Sequence, residues 1–532
     1  MTKVWRRLVA SSLALGLGTP LGLSGQDVAA QQAQEEEPYV VGQAQPPRDE
    51  GRAVVSMTLE EAISRALQMN LDIQTARLNP EIQSYTLRVA RAAFTPTFNT
   101  SYGYTNSTNQ STSQLDGGAR TTSERMTLNS SLAQTLPWYG GRLSANFNNS
   151  RNETNNAFTT RNPSYSSSLS FSYTQPLLAG LKTDNQRAAI EAQQIQSQIT
   201  DLQVASQIDN ITNQVRVSYW SLRSTIEQIE IQRRSLALAQ RLLAENQLRV
   251  QLGRMTELQL VQAEAQVASA EQALLNAEIQ WRNQEFAFKR LLLGGADDPL
   301  LQQTVDPTSA PSLVEQEVDI DEAVELALRE RADIRQQRQQ REITELNLDV
   351  TRSNTLPDLN LTASYSLQGV GGNLFERDQL GGDPVLVQQG DYWDGLQSIA
   401  DFDTPTWSLG LSASYPLGTN TNKLNHERAE LQLQQADLAL RGQELSIVTQ
   451  VTSAGLAVRN AFLQLEAARR SREAAERGAE AELLRFNVGV ATNYEVVQAQ
   501  DALTTSRLAE LRAIISHVNA IAEFERVQRV GG

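Results

Sequence analysis

The chain has 532 residues and a formal net charge of −15, so a nucleic-acid partner, which would need clustered Lys and Arg, is not expected. It contains no cysteine, which excludes disulfides, thiolate metal sites and a lipid anchor on an N-terminal cysteine. Aromatic residues make up only 6% of the chain, a share that favours thin helical packing over a bulky globular core.

Residues 1–30 have the pattern of a secretory signal peptide. Three basic residues lie among the first seven positions, residues 8–23 are apolar, and Val28-Ala29-Ala30 supplies small residues for cleavage. A membrane anchor is the alternative, but the apolar run is short for a span and is interrupted by glycine and proline. We therefore expect a cleaved signal and an exported chain.

The mature chain is expected to begin with a disordered polar tail. Residues 31–56 are rich in Gln, Glu and Pro, a composition typical of disorder. No run of 18 apolar residues follows Leu23, so no helix is expected to cross a bilayer. An exported chain of this kind is either soluble or a β-barrel.

The rest of the sequence is an internal duplication. Leu59-Glu60-Glu61-Ala62 resembles Ile320-Asp321-Glu322-Ala323 at an offset of 261, and Arg233-Arg234-Ser235 matches Arg469-Arg470-Ser471 at an offset of 236. Because such self-similarity marks duplicated structural units, we predict two repeats joined by a linker. Their bounds are residues 57–298 for the first structural repeat, 299–318 for the linker and 319–530 for the second structural repeat.

Each repeat contains a β-section in which apolar and polar residues alternate, at residues 94–176 and 356–417. In the second section, Leu409, Leu411 and Ala413 alternate with serine and glycine, which gives a strand one apolar and one polar face. A soluble β-sandwich would show the same alternation. The export signal and the missing spanning helix favour a transmembrane β-barrel with lipid outside and water inside.

The two β-sections predict two hairpins, or four strands, in each chain. A closed barrel that encloses a channel needs more than about eight strands, so several chains must assemble. Residues 124–151 offer a further hairpin, and the sequence leaves open whether it joins the barrel. The two repeats differ in length mainly within their β-sections, as expected where loops face solvent.

Long helices are predicted where proline is absent. None of the sixteen prolines lies between Pro176 and Pro299 or after Pro416, and apolar residues in both segments recur in steps of three and four. A glycine and a threonine interrupt each segment, at residues 251–256 and 487–492, as at a turn between two helices. A plain coiled-coil rod is the alternative from periodicity alone. The predicted long helical hairpins span residues 180–293 and 422–528.

Together with the signal, the duplicated β-sections and the proline-free helical pairs, residues 485–500 (RFNVGVATNYEVVQAQ) resemble the TolC-like outer-membrane efflux protein family. The resemblance covers residues 57–528. It implies a mixed α/β membrane protein, in which a long antiparallel coiled-coil helical barrel joins a transmembrane β-barrel, built as a homotrimer from a duplicated half. In the family, twelve strands form the barrel and twelve helices form a periplasmic tunnel.

The same resemblance implies partners and functional positions. Outer-membrane lipid surrounds the barrel, and an inner-membrane pump and a periplasmic adaptor (membrane fusion) protein complete the export path. The turns between the long helices would contact the adaptor, and positions just after the second turn would line a pore constriction. A solvated helix residue is an equal alternative for Glu495. The turn residues are Leu252, Gly253, Arg254, Val488, Gly489 and Val490, and the constriction residues are Glu495 and Gln498.

No catalytic, cofactor or metal site is expected. His426 and His517 have no neighbouring ligand spacing, and no nucleotide-binding or nucleophile motif occurs in the sequence. The acidic loop at residues 370–405 is interpreted as solvated turns rather than as a calcium site. The acidic composition predicts a preference for cations if the charges face the lumen.

The sequence therefore favours an outer-membrane channel component of a tripartite efflux or type I secretion system, a passive export duct across the periplasm and the outer membrane. The main alternative is an exported coiled-coil structural or adhesin protein of the envelope, which needs no alternating strands between its helices. A soluble periplasmic adaptor is a third hypothesis, and it predicts one helical hairpin with one β-domain instead of two of each.

Overall fold

The computed structural model describes residues 44–47, 51–111, 118–253, 255–311, 313–379, 382–418 and 420–528. The predicted signal peptide and most of the predicted polar tail lie outside these ranges. Within them, no helix carries an apolar stretch sufficient to traverse a membrane.

The elements follow the duplicated order of the sequence. Those of the first repeat are β1 (Val54–Met57), α1 (Leu59–Met69), α2 (Leu71–Ala92), β2 (Thr97–Gln110), β3 (Arg120–Thr135), β4 (Arg142–Thr154), β5 (Ser164–Pro176), α3 (Asn185–Gln251) and α4 (Glu257–Leu292). After a short 3-10 helix (Pro299–Gln302), the remaining elements are β6 (Thr304–Pro307), α5 (Ile320–Glu330), α6 (Ala332–Asn354), β7 (Asp358–Gly371), β8 (Leu374–Glu376), β9 (Val385–Gln388), α7 (Tyr392–Ala400), β10 (Pro405–Ser414), α8 (Thr421–Asn487) and α9 (Asn493–Gln528).

The long helices have matching bounds in the two repeats. α3 and α8 are each 67 residues long, α4 and α9 are each 36, and every bound in the second copy follows the first by 236 positions. At 1.5 Å per residue, the longer helices extend about 100 Å and the shorter ones about 54 Å. α3 packs against α2 and α4, and α8 packs against α6 and α9.

Within the described residues, six strands form one antiparallel sheet in the order β10-β7-β5-β4-β3-β2. The expectation of four strands per chain is therefore wrong. The additional hairpin, β3–β4, covers the segment 124–151 and pairs with β2 and β5. The sequence pattern does not identify it securely because polar residues such as Asn149 and Arg151 occupy the face that is apolar elsewhere. The length difference between the repeats thus includes a hairpin of the sheet, not only solvent-facing loop.

A second feature absent from the prediction is a parallel strand pair. β1 pairs with β6, with Val55 opposite Val305, so the end of the predicted tail and part of the predicted linker are ordered strands. The Tyr219 hydroxyl on α3 donates to the Met57 carbonyl (3.0 Å) and accepts from the Ser309 N–H (2.8 Å). Strands of four residues are too short for a period-two pattern to be recognised.

The largest hydrophobic cluster among the described residues lies where α1, α3, α4 and β6 meet, and a buried ion pair contacts it at Val305. Glu285 and Lys289 of α4 are both fully buried, with 3.0 Å between Lys289 Nζ and Glu285 Oε1. Glu285 Oε1 also accepts from the Val305 N–H of β6 (3.0 Å). Burial lowers the pKa of Lys289, and the hydrogen bond and charge of Glu285 oppose that shift. This pair fixes the β1–β6 ribbon to the helices.

Candidate functional site

The six-stranded sheet has one apolar face that continues across every strand. The registers place Phe171 opposite Tyr365 and Trp407 opposite the same Tyr365, so their side chains share one face. Phe147 and Leu169 are paired on that face as well. Its other apolar members include Phe98, Tyr102, Leu128, Leu132, Leu143, Ala145, Tyr173, Leu359, Leu361, Ala363, Leu367, Leu409, Leu411 and Ala413.

The opposite face of the sheet is polar and nearly uncharged. It carries mostly Ser, Thr, Asn and Gly, with direct contacts such as Ser364 Oγ to Ser408 Oγ (2.7 Å). On the described part of this face, the charged residues are Arg125, Arg142 and Asp358. A water-filled lumen lined by this face would therefore have little fixed charge. The acidic excess of the chain does not come from the strands of this sheet. Residues 374–404, which follow β7, carry seven acidic residues and one basic residue, so a cation preference would have to arise in this segment or in the helical part.

The two helical turns end in exposed apolar residues. Gly253 and Gly489 adopt positive φ angles of 67° and 82°, the left-handed conformation with which helices often end. The Val490 N–H donates to the Arg485 carbonyl (2.9 Å), which closes the second turn. Leu252, Val488 and Val490 are all exposed, as a surface that docks another protein requires. Arg254, the remaining predicted turn residue, lies outside the described ranges.

Glu495 caps the first turn of α9. Its Oε2 accepts from the Thr492 N–H (2.6 Å) and from the Thr492 hydroxyl (3.0 Å). The backbone hydrogen bond from Thr492, followed by the side-chain one, lowers the pKa of Glu495. Asn493 and Val496 face the buried interior, and Glu495 and Gln498 lie on the other side of the helix, one turn apart. The two predicted constriction residues therefore share one accessible face.

The first repeat has a neutral counterpart of this cap. Gln259 occupies the position equivalent to Glu495, and its Oε1 accepts from the Thr256 N–H (3.3 Å). Capping in this fold thus needs a side-chain acceptor but no charge. The geometry is compatible with both hypotheses for Glu495, a structural cap and a charged constriction residue.

Two buried asparagines join the hairpins near their tips, and the sequence analysis did not identify them. Asn246 Nδ2 of α3 donates to Asn493 Oδ1 of α9 (3.0 Å), and both side chains are buried. Nearby, the Arg249 guanidinium lies 3.9 Å from the centre of the Phe486 ring. The available sequence signal was an asparagine at a core position of a long helix, a device that fixes register between helices.

Equivalent positions of the two repeats differ in exposure on one side of the molecule. Val350 of α6 is 5% exposed, whereas the equivalent Val89 of α2 is 72% exposed. Ile195 of α3 is 6% exposed, whereas the equivalent Leu431 of α8 is 64% exposed. The exposed residues form stripes along α2 and α8. These stripes comprise Leu71, Leu78, Ile82, Tyr85 and Val89 on α2, and Leu424, Leu431, Leu438 and Leu445 on α8.

The buried members of these equivalent positions lie where α6 packs against α3 within the chain. At this contact Gln339 Nε2 of α6 donates to Gln198 Oε1 of α3 (2.8 Å). By the repeat offsets, the matching contact would join α2 to α8, through Leu78 and Gln434. Because the stripes on α2 and α8 are exposed in the single chain, they are available to contact other copies.

Comparison with known proteins gives one family and one fold. The family model for outer membrane efflux proteins matches residues 141–294 and 323–523. No curated protein sequence matches the chain.

Several solved structures share the fold at low sequence identity. The channel-forming protein CusC is 16% identical, with a TM-score of 0.65 over 89% of this chain and 92% of its own. The Campylobacter jejuni CmeC outer membrane channel is 16% identical, with a TM-score of 0.63 over 88% and 85%. The outer membrane protein VceC from Vibrio cholerae is 15% identical, with a TM-score of 0.63 over 89% and 96%.

Proposed function

The chain belongs to the TolC-like outer membrane efflux protein family, and from that premise we propose that it is the passive export duct of a tripartite efflux or type I secretion assembly. The family's proteins are channels and not enzymes, so the chain is a channel component of an efflux system. The proposal that the chain forms an export duct rests mainly on the two faces of the sheet. One face is continuously apolar, and the other carries hydroxyl and amide side chains. Lipid outside and water inside require this division.

The assembly is a homotrimer held by the stripes on α2 and α8. The contact between α6 and α3 within one chain has its repeat equivalent between α2 of one copy and α8 of the next. A closed ring of identical copies buries the stripe at every interface, because the same two surfaces meet each time. This arrangement accounts for the opposite exposure of Val350 and Val89, and of Ile195 and Leu431.

A trimer of this chain has a barrel of eighteen strands rather than the family's twelve. β2 and β10 are the two edges of the described sheet, and they run in opposite directions because all neighbouring strands are antiparallel. The β2 edge of one copy can therefore pair with the β10 edge of the next, and three sheets of six strands give eighteen. Barrels of about this size enclose an aqueous channel.

Chemical cross-linking tests the ring. The chain has no cysteine, so a Leu78→Cys and Gln434→Cys double variant treated with a short bis-maleimide should give covalent dimers and trimers on gels. The two single-cysteine variants are the controls and should stay monomeric after the same treatment. A double variant that remains monomeric would reject this interface.

Planar-bilayer recording tests the duct itself. Protein extracted from the outer membrane should produce stepwise conductance increments, and the same sample heated to dissociate its subunits should produce none. Recovery of the mature chain as a monomer in the soluble periplasmic fraction, with no conductance, would contradict the proposal. It would instead favour the structural or adhesin alternative.

Glu495 and Gln498 are proposed to line the periplasmic constriction. Glu495→Gln removes the charge but keeps an acceptor of the kind that Gln259 supplies in the first repeat, whereas Glu495→Ala removes both. If the charge lines the pore, both variants should lower the cation-to-anion permeability ratio, and Gln259→Glu should raise it. If Glu495 is only a cap, Glu495→Gln should behave as the unaltered protein.

The exposed turns are proposed to bind the periplasmic adaptor, which connects the duct to an inner-membrane pump. Leu252, Val488 and Val490 present apolar side chains at the tips of both hairpins. Replacement of Val488 and Val490 by serine should weaken co-purification of the adaptor without changing the conductance of the isolated duct. Unchanged adaptor recovery would exclude the second turn as its binding site.

A further inference from the structure

The short helix α7 lies on the apolar face of the sheet, at the end far from the long helices. The Tyr392 hydroxyl donates to Asn149 Oδ1 of β4 (3.0 Å), and its ring centre is 6.1 Å from that of Tyr165 on β5. Asn149 and Tyr165 belong to the same face as Phe147 and Leu169, because strand residues two apart share a face. The predicted acidic loop therefore contains a helix that covers part of this face.

The sheet is shaped to hold this helix. Gly369 and Gly371 of β7 stand where the same face carries leucine and tyrosine lower in the strand, and a β-carbon on either would overlap the backbone of α7. Ser167 is buried beneath the helix and donates to Asn149 Oδ1 (2.7 Å). Where α7 covers the sheet, glycine and hydrogen-bonded polar residues thus take the place of bulky apolar residues. α7 is therefore an integral part of this end of the sheet and not a loosely attached loop.

The surface that α7 turns away from the sheet combines an aromatic ring with polar groups. Trp393 is 69% exposed, and Phe402, just after the helix, is exposed as well. Asp391 caps the helix and Asp394 completes the capping box. Exposed tryptophan beside polar and charged groups is typical of the boundary between lipid tails and water.

The height of the apolar face is consistent with a position of α7 at the boundary between lipid tails and water. β10 has ten residues, which at about 3.3 Å per residue and a tilt of about 40° rise about 25 Å, the height of the lipid-facing band of a membrane barrel. α7 packs against residues 369–371, just past Leu367 at the outer end of the band. The helix therefore begins where the band ends.

We propose that α7 is a membrane-contact belt on the outer wall of the barrel, with Trp393 at the boundary between the headgroups and acyl chains of the outer leaflet. The inference rests on the proposed function, because the apolar face contacts lipid only in an assembled membrane barrel. The occupant is lipid because the face on which α7 lies continues directly into the lipid-facing band. A ring of such helices would fix the depth of the barrel in the membrane.

Spin labels on single cysteines test the proposal in the reconstituted full-length protein. Gln397→Cys reports on the exposed side of α7 and leaves Trp393 in place. Leu409→Cys reports on the apolar face and Ser408→Cys on the polar face of the same strand. Power saturation with oxygen, which concentrates in lipid, and with a water-soluble nickel complex gives an accessibility ratio for each label.

The expected ratio at position 397 lies between a lipid-like value at position 409 and a water-like value at position 408. A ratio equal to that of Ser408→Cys would overturn the belt, and so would loss of access to both reagents, which would indicate a contact with another copy. Gly369→Leu should move the Gln397→Cys label to the water-like value by displacing the helix. If Leu409→Cys itself is not lipid-like, the proposed function fails, and this result is distinguishable from failure of the belt alone.

Discussion

The stability of the proposed trimer should depend strongly on one leucine that is exposed in the single chain. Leu431→Ala removes three carbon atoms from the α8 stripe, and each buried methylene contributes about 0.8 kcal/mol. Because 64% of Leu431 is available for burial by a neighbour, the loss is about 1.5 kcal/mol per interface and about 4.5 kcal/mol over the three interfaces of a trimer.

The measurement is the temperature at which trimer converts to monomer in a heating series analysed on detergent gels. Leu431→Ala should lower this temperature clearly. Leu258→Ala is the matched control, because Leu258 is 71% exposed and its repeat equivalent, Tyr494, is exposed too, so the repeat gives no reason to expect its burial. Equal dissociation temperatures for the two variants and the unaltered protein would refute the derivation of the interface from the repeat.

The remaining predictions concern the buried ion pair, the second turn and the cap. Lys289→Met should cost about 3 kcal/mol by leaving the buried Glu285 carboxylate without its closest cation, and adding Glu285→Gln should restore most of the loss in thermal unfolding. Gly489→Ala should cost about 1 kcal/mol, seen as faster amide exchange at the turn, because φ there is 82°. The lowered pKa of Glu495 means that its ionised cap contributes fully above the ordinary value of 4.5 and is lost only as pH falls through the lower folded-state pKa. Any cation preference that depends on Glu495 should therefore persist in bilayer recordings below pH 4.5, and its loss above that value would contradict the cap geometry.

The helical part of the fold could be read from the sequence because its signals are long and redundant. A period of three and four residues over α3 and α8, without proline, gives many independent indications of the same structure. Gly253 and Gly489, each followed by a threonine, supply local stop and start signals at the turns. The proposed adaptor role of these turns rests on the family resemblance, since their exposure is not visible in a sequence.

The sheet and its rim were less predictable because their signals are short or mixed. The β3–β4 hairpin carries Asn149 on its apolar face, and the hydrogen bonds that Tyr392 and Ser167 donate to it explain why a polar residue is placed there. β1 and β6 can be recognised as strands only through their pairing with each other, and the sequence does not reveal this pairing because the two segments are far apart in the chain. For Glu495, the sequence cannot separate a cap from a constriction residue, because both require a side chain at the start of α9 that is accessible to water.

The two repeats differ in their number of strands but not in the length of their long helices, and the proposed ring tolerates this difference. A helical tunnel made of alternating first and second repeats closes only if both supply helices of the same length, and the equal bounds at an offset of 236 meet this condition. A β-barrel needs only that its two edge strands pair, so one repeat can contribute four strands and the other two. In the proposed trimer, the additional hairpin of the first β-section therefore widens the barrel without changing the contacts of α2 and α8. The same reasoning explains why equivalents of stripe residues, such as Val350 and Ile195, are buried within the chain. In the proposed trimer, each copy covers one half of its duplicated surface itself and leaves the other half for its neighbour.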